Sequence, residues 1–193
     1  MGKHAGDCIR TLRTQYVAPM DTASTERKPG LFARLFGNTV PEGQALYETC
    51  VAQARRPIWY ARLGVVDSID GRFDMVVLVL SLVLLRFERE GEAGALPSVL
   101  LTEVFIDDMD GQVREIGFGD LVVGKQVGGI LSVLGGRLGV YRDAVDAAAL
   151  RRTLWRGTPP DDATVAAMVD EVATLRGEIT SVPLATLLAG RLR

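Results

Sequence analysis

A glycine-rich stretch, GDLVVGK from Gly119 to Lys125, has the GxxxxGK spacing of a phosphate-binding loop. In such a loop the next residue is Ser or Thr, whose hydroxyl holds magnesium, and the loop joins a buried strand to a helix. Here the next residue is Gln126, and the preceding MDGQVREIGF does not have the composition of a strand. A degenerate P-loop nucleotide-binding protein is therefore the weakest of the functions considered.

The acidic run from Asp107 to Asp110, followed by Gly111, resembles the beginning of a calcium loop, because hard cations prefer carboxylate oxygens. With Gly111 in the turn position, the first ligand position falls on Ile106 and the last on Gly117. Neither residue has a carboxylate, so the register of a calcium loop fails. The acidic run is better explained as one face of a helix.

Other catalytic or metal-binding constellations are missing from the sequence. The single histidine, His4, lies in a polar N-terminal stretch, and there is no GxSxG motif. The two cysteines, Cys8 and Cys50, do not have CxxC spacing, which argues against a structural zinc site. We therefore predict a binding protein that is not an enzyme and that needs no metal or cofactor.

The composition restricts the partners and the compartment. A net charge of -2 with 24% charged residues gives no general attraction to nucleic acid, so we expect no nucleic-acid partner. The longest apolar run, Met75 to Leu85, is much shorter than the roughly 20 residues of a membrane-spanning helix. Residues 1–30 lack the apolar centre of a signal peptide. We expect a cytoplasmic protein, in a reducing compartment.

The N-terminal region, residues 1–40, has the polar composition of a flexible tail and contains one short amphipathic segment. This segment, LFARLFG, could lie on a membrane surface, or it could fold back onto the domain or a partner. Its proposed membrane-contact residues lie at helical spacing around Arg34: Leu31, Phe32, Leu35 and Phe36.

Residues 41–193 are predicted to form a single compact, all-α, multi-helix domain. The run from Phe73 to Phe87 is apolar on every side, so we expect it to be the central helix, preceded by a turn-rich connection, VVDSIDGR. Proline boundaries, capping residues and three-four periodicity predict the other helices. They are 44–56, 58–63, one from Ser98 after Pro97, one from Asp120, 141–155, 162–175 with Asp162 as its cap, and 181–192.

Three glycines interrupt the helix that is predicted from Asp120: Gly124, Gly128 and Gly129. Each glycine inside a helix costs on the order of 1 kcal/mol relative to alanine. We expect this cost to be tolerated where another helix crosses closely, so the three glycines are predicted to form a packing face.

The stretch FIDDMDGQVREIGFGDLVVGK, residues 105–125, resembles the signature of the ubiquinol-cytochrome c chaperone family, in which a DDMD run leads through RE-x-G-x-GD to VGK. A second block is also similar to that family: Tyr60, Gly64, Val65, Asp67 and the DGRFD run 70–74. A third, weaker block comprises Tyr141, Ala144 and residues 150–152. The resemblance covers about residues 44–157.

The resemblance implies a helical, non-enzymatic chaperone for the assembly of respiratory complex III, the ubiquinol-cytochrome c reductase. In that family the chaperone helps newly made cytochrome b reach the complex, and mitochondrial relatives act with a small partner protein. The expected partners are therefore cytochrome b or another reductase subunit, a small partner protein and the membrane surface. For this chain the resemblance implies a bacterial protein, peripheral at the cytoplasmic membrane. The alternative function is a peripheral membrane-associated helical adaptor.

Within the first block, we predict a charged face that binds a partner or client through charge-assisted contacts. The alternative is an internal network of ion pairs and caps that holds two helices around the corner at 117–119. The predicted partner-binding residues are Asp107, Asp108, Asp110, Arg114, Glu115, Asp120 and Lys125.

Overall fold

The computed structural model describes residues 43–115 and 120–192, and the side chains of residues 43–114 and 126–192. Within these residues the regular structure is entirely helical, which confirms the predicted all-α fold class. The helices are α1 (Gln44–Ala54), α2 (Pro57–Ala61), α3 (Ile69–Arg89), α4 (Glu92–Glu115), α5 (Asp120–Asp143), α6 (Ala147–Leu154), α7 (Asp162–Ser181) and α8 (Leu184–Leu188).

The apolar run of the sequence forms α3, which lies at the centre of the domain as predicted. Every residue from Met75 to Leu85 is buried, and α3 packs against α1, α4, α5, α6 and α7. The helix begins earlier than predicted, because the Ser68 side chain accepts a hydrogen bond from the Gly71 amide and caps it. The prediction of a turn across all of VVDSIDGR was therefore wrong for its last residues. None of the helices in the described ranges is long and apolar enough to cross a membrane.

Helix α4 does not begin at Ser98, so that predicted boundary was wrong. The helix runs from Glu92 to Glu115 with Pro97 inside it. Proline lacks the N–H that would bond to the carbonyl of Ala93, but Ala93 is exposed, so water can solvate that carbonyl. The Ser98 hydroxyl does not cap the helix but donates to the Gly94 carbonyl at 2.8 Å.

The C-terminal helices also differ in their boundaries from the predicted ones. The cap of α7 is Asp161 rather than Asp162, because the Asp161 carboxylate accepts from the Thr164 amide at 2.9 Å. The predicted helix 141–155 is divided, because α5 continues to Asp143 and α6 then begins at Ala147. The predicted helix 181–192 is the shorter α8.

The predicted glycine packing face is wrong at Gly128, because a side chain added there would meet nothing within 4 Å. Gly71 is the opposite case. A Cβ at Gly71 would lie 2.0 Å from the backbone oxygen of Val66, which is closer than any real contact. Gly71 is therefore required where the connection before α3 passes close to the first turn of the helix.

We expect Gly71→Ala to lower the free energy of unfolding by roughly 2 kcal/mol or more, because backbone atoms must move to admit the methyl group. Gly128→Ala is the matched control inside a helix, and it should raise stability by about 0.5–1 kcal/mol. Urea unfolding followed by circular dichroism measures both changes. Equal effects of the two substitutions would contradict the close approach at Gly71.

Candidate functional site

The acidic run that was singled out in the sequence lies in the C-terminal half of α4. One of its carboxylates faces the domain: Asp108 accepts hydrogen bonds from the Tyr47 hydroxyl at 2.8 Å and from Gln112 Nε2 at 3.0 Å. Tyr47 is buried, and its ring packs on Phe105 at a centroid distance of 6.3 Å. Burial and the nearby Asp108 carboxylate raise the pKa of Tyr47, so the phenol remains a donor. Asp108 therefore helps to hold α4 against α1.

Two further charged residues of the run pair along the helix surface. Arg114 Nε donates to Asp110 Oδ2 at 2.6 Å, with the four-residue spacing expected of helix neighbours. Met109, between the acidic residues, is buried in the core. The alternative network of ion pairs and caps would lie around residues 117–119, and the side chains of residues 115–125 are outside the described ones, so that alternative remains open.

Asp107 differs from its two acidic neighbours. It is exposed, and among the described side chains none donates a hydrogen bond to it or forms an ion pair with it. Partial burial and the negative charges of Asp110 and Glu103 raise the pKa of Asp107. This carboxylate would therefore be stabilised by a cation supplied from outside the described part of the chain.

The other predicted site residues are only partly described. Glu115 ends α4, Asp120 begins α5 and Lys125 lies within α5, but the side chains of all three are outside the described residues. The residues predicted to contact the membrane are also outside the described residues: Leu31, Phe32, Leu35 and Phe36.

A second charged cluster, which sequence reasoning did not assign, lies around Asp74 in the first turns of α3. Asp74 is only 2% exposed. Its Oδ1 accepts from Arg137 Nη2 of α5 at 2.9 Å, and its Oδ2 accepts from Arg156 at 3.0 Å (Nε) and 2.9 Å (Nη2). Arg156 also donates to Asp70 at 3.2 Å. One carboxylate thus connects α3 to α5 and to the turn after α6.

Two features of this cluster are energetically unfavourable, which indicates that the packing of the surrounding helices holds the cluster in place. Arg156 has a φ of 48°, a left-handed conformation that costs a non-glycine residue on the order of 1 kcal/mol. The Nη1 of Arg137 is buried and has no hydrogen-bond partner in the described chain. Nearby, the buried Tyr141 hydroxyl donates to Thr153 Oγ1 at 2.8 Å and joins α5 to α6.

Several residues of the second sequence block have structural roles beside this cluster. Gly64 has a φ of 70°, and its carbonyl accepts from Trp155 Nε1 at 3.1 Å. Asp67 and Arg72 form a bidentate ion pair with distances of 2.6 and 3.2 Å. The sequence signal that could have revealed Asp74 was its place in this block, as the one carboxylate at the edge of an otherwise apolar run.

The described side chains offer little for catalysis. Within the described ranges, no group of three His, Cys, Asp or Glu side chains is placed to hold a metal ion. Cys50 is fully buried, and burial raises the pKa of its thiol to about 12. The thiol is therefore protonated near neutral pH and is a poor nucleophile. Both clusters can form ion pairs. Asp107 is placed to pair with a cation at the surface, and Asp74 pairs with two arginines in the interior.

The Asp74 cluster predicts a pH dependence of stability. Burial raises the pKa of Asp74 to about 6, although Arg137 and Arg156 favour the ionised form. The pKa lies above the value of about 3.9 for an unfolded aspartate, so the folded chain binds this proton more tightly. The stabilisation is complete below about pH 4 and is lost as the pH rises through about 6.

We compare the chain with an Asp74→Asn variant, which does not titrate at this position. The free energy of unfolding of the unsubstituted chain, relative to the variant, should fall by about 2 kcal/mol between about pH 4 and pH 7. Urea denaturation at several pH values measures this difference. A difference that rises with pH would show that the two arginines outweigh burial.

The geometry can be compared with known proteins. The family model described as ubiquinol-cytochrome C chaperone matches residues 61–193, which is more than half of the chain. The crystal structure of the Cbp3 homolog from Brucella abortus is similar, with a TM-score of 0.66 and 29% sequence identity over 77% of this chain and 85% of that chain. Comparison with curated proteins gives no match.

These findings agree with the resemblance carried by the DDMD and DGRFD blocks. They support the assignment of the chain as an assembly chaperone of the ubiquinol-cytochrome c reductase, complex III, and they imply a non-enzymatic role. The protein belongs to the ubiquinol-cytochrome C chaperone family.

Proposed function

We propose that this assembly chaperone binds newly made cytochrome b, at the cytoplasmic surface of the membrane, through the acidic face of α4. The observation that carries the proposal is the state of Asp107: an exposed carboxylate, on a helix fixed to the core, without a basic partner among the described side chains. The contact of Tyr47 with Asp108 orients this helix, so the face is rigid before a client arrives.

The charge of the face suits such a client. Loops of multi-spanning membrane proteins that remain on the cytoplasmic side are rich in Lys and Arg. A carboxylate pair such as Glu103 and Asp107 would steer and hold a basic loop through charge-assisted hydrogen bonds. We include the rest of the predicted face in the proposal: Asp108, Asp110, Arg114, Glu115, Asp120 and Lys125.

We also propose a peripheral contact with the membrane through Leu31, Phe32, Leu35 and Phe36. A segment this short buries little apolar area in a bilayer, so its binding would be weak and reversible. Weak binding suits a chaperone that must meet a client at the membrane and then leave it.

The client contact is tested by a charge reversal at Asp107. A photocrosslinker placed at Gly111, one turn from Asp107, would capture newly made cytochrome b in cells that express the full chain. Asp107→Lys should reduce this crosslink at least several-fold, because a basic loop is then repelled. Asp170→Lys on α7, which reverses another exposed aspartate, is the matched control and should have little effect.

Both variants should melt at nearly the same temperature as the unsubstituted chain, since both positions are on the surface. An unchanged crosslink in the Asp107→Lys variant would overturn the proposed contact. Crosslinking to lipid alone, with no cytochrome b adduct, would instead favour the peripheral adaptor function.

A further inference from the structure

Helix α4 carries an exposed stripe that continues from apolar to acidic residues. Leu96 and Val99 are 63% and 53% exposed, which is high for large apolar side chains. Glu103 and Asp107 follow at steps of four, and both are exposed. Because steps of three and four stay on one side of a helix, these four residues form one surface, which we call the α4 stripe.

The described chain begins beside this stripe. Gly43, the residue before α1, has a φ of 92°, and a Cβ added there would lie 3.3 Å from the backbone carbon of Leu100. Leu100 is adjacent to Val99 and one turn from Leu96. The residues that precede Gly43 are therefore tethered next to the apolar half of the stripe.

The tether is long enough for the amphipathic segment 31–36 to reach the stripe. Six residues lie between Phe36 and Gly43, which are therefore seven steps apart, and an extended chain spans about 3.3–3.6 Å per step, so the reach is about 24 Å. Leu96 and Leu100 are about 6 Å apart along the helix axis, at 1.5 Å per residue. A short tether also gives a high effective concentration, which favours even a weak contact.

The segment and the stripe are complementary in chemistry. Residues 27–36, RKPGLFARLF, contain three basic residues and no acidic residue, interleaved with four large apolar side chains. The stripe offers apolar side chains at Leu96 and Val99 and carboxylates at Glu103 and Asp107. Partial burial and the negative charges of Asp110 and Glu103 raise the pKa of Asp107, so a guanidinium beside this carboxylate would favour its ionised form.

We propose that residues 31–36 fold back onto the α4 stripe, with their apolar side chains on Leu96 and Val99 and with Arg34 toward Glu103 and Asp107. The segment then occupies the face that a basic client loop would use, so the client must displace it. The competition with a client rests on the proposed function, but the docking itself does not. Once displaced, the same apolar side chains become free for the membrane.

The docking is tested by disulfide formation in the purified full-length chain. In a Cys8→Ser background, Leu35→Cys is combined with Val99→Cys on the stripe. The matched control combines Leu35→Cys with Ala52→Cys, an exposed position on α1 that is about 14 Å along the helix from Gly43. Cys50 is fully buried and can remain.

The intramolecular disulfide should form several-fold faster with position 99 than with position 52. Adding Glu103→Lys and Asp107→Lys should slow the reaction at position 99 and leave position 52 unchanged. Equal rates at the two positions would overturn the docking, and so would a product that is mainly a disulfide-linked dimer. Cytochrome b crosslinking that depends on Asp107 would remain valid in either case, so the two proposals fail separately.

Discussion

The architecture depends on the burial of one helix that is apolar on all sides. Folding is driven mainly by the burial of the apolar surface of α3, because the run from Met75 to Leu85 has no polar face that could remain in water. Such a helix is stable only when other helices cover it completely. Five of them do so here, and they are α1, α4, α5, α6 and α7. The amphipathic helices around α3 leave their polar faces outward, and the exposed side of α4 is a consequence of that arrangement.

One charged side chain, Asp74, is buried beside the apolar core, and its ion pairs fix the positions of the helices around α3. Asp74 is buried at the edge of the apolar run, and its two oxygens are divided between Arg137 of α5 and Arg156 after α6. A buried carboxylate is weak evidence of stability, because desolvation opposes the attraction of the two cations. Its geometry is nevertheless specific, since a helix that slid or rotated would leave charge unpaired in the core. In the DGRFD block, Asp74 therefore has a structural role, because it holds the helices in place. In the DDMD block, Asp108 contacts α1 and Asp107 is exposed to solvent.

Features that depend on local sequence could be predicted, whereas contacts between distant parts of the chain could not. The central position of α3 follows from its apolar run, and the helix from Gln44 follows from its periodicity. The partners of Asp74 could not be predicted, because they are 63 and 82 residues away in the sequence and only the folded chain brings them together. Likewise, nothing local shows that Asp108 faces Tyr47 while Asp107 faces solvent, because adjacent helix positions differ by 100° in a direction that packing sets. The proline at position 97 was misleading, since its position in the helix leaves an exposed carbonyl that water can satisfy.

In the described part of the chain, the α4 stripe has exposed apolar and acidic side chains, and the sequence of the N-terminal segment 31–36 has a complementary composition. The proposed contact with a client depends on the role of the chaperone in assembly, whereas the proposed docking of residues 31–36 does not. The most direct test is deletion of the gene, followed by measurement of assembled ubiquinol-cytochrome c reductase in the membranes. The account predicts a marked loss of the complex that the unsubstituted gene restores. Normal levels of the reductase in the deletion strain would contradict it.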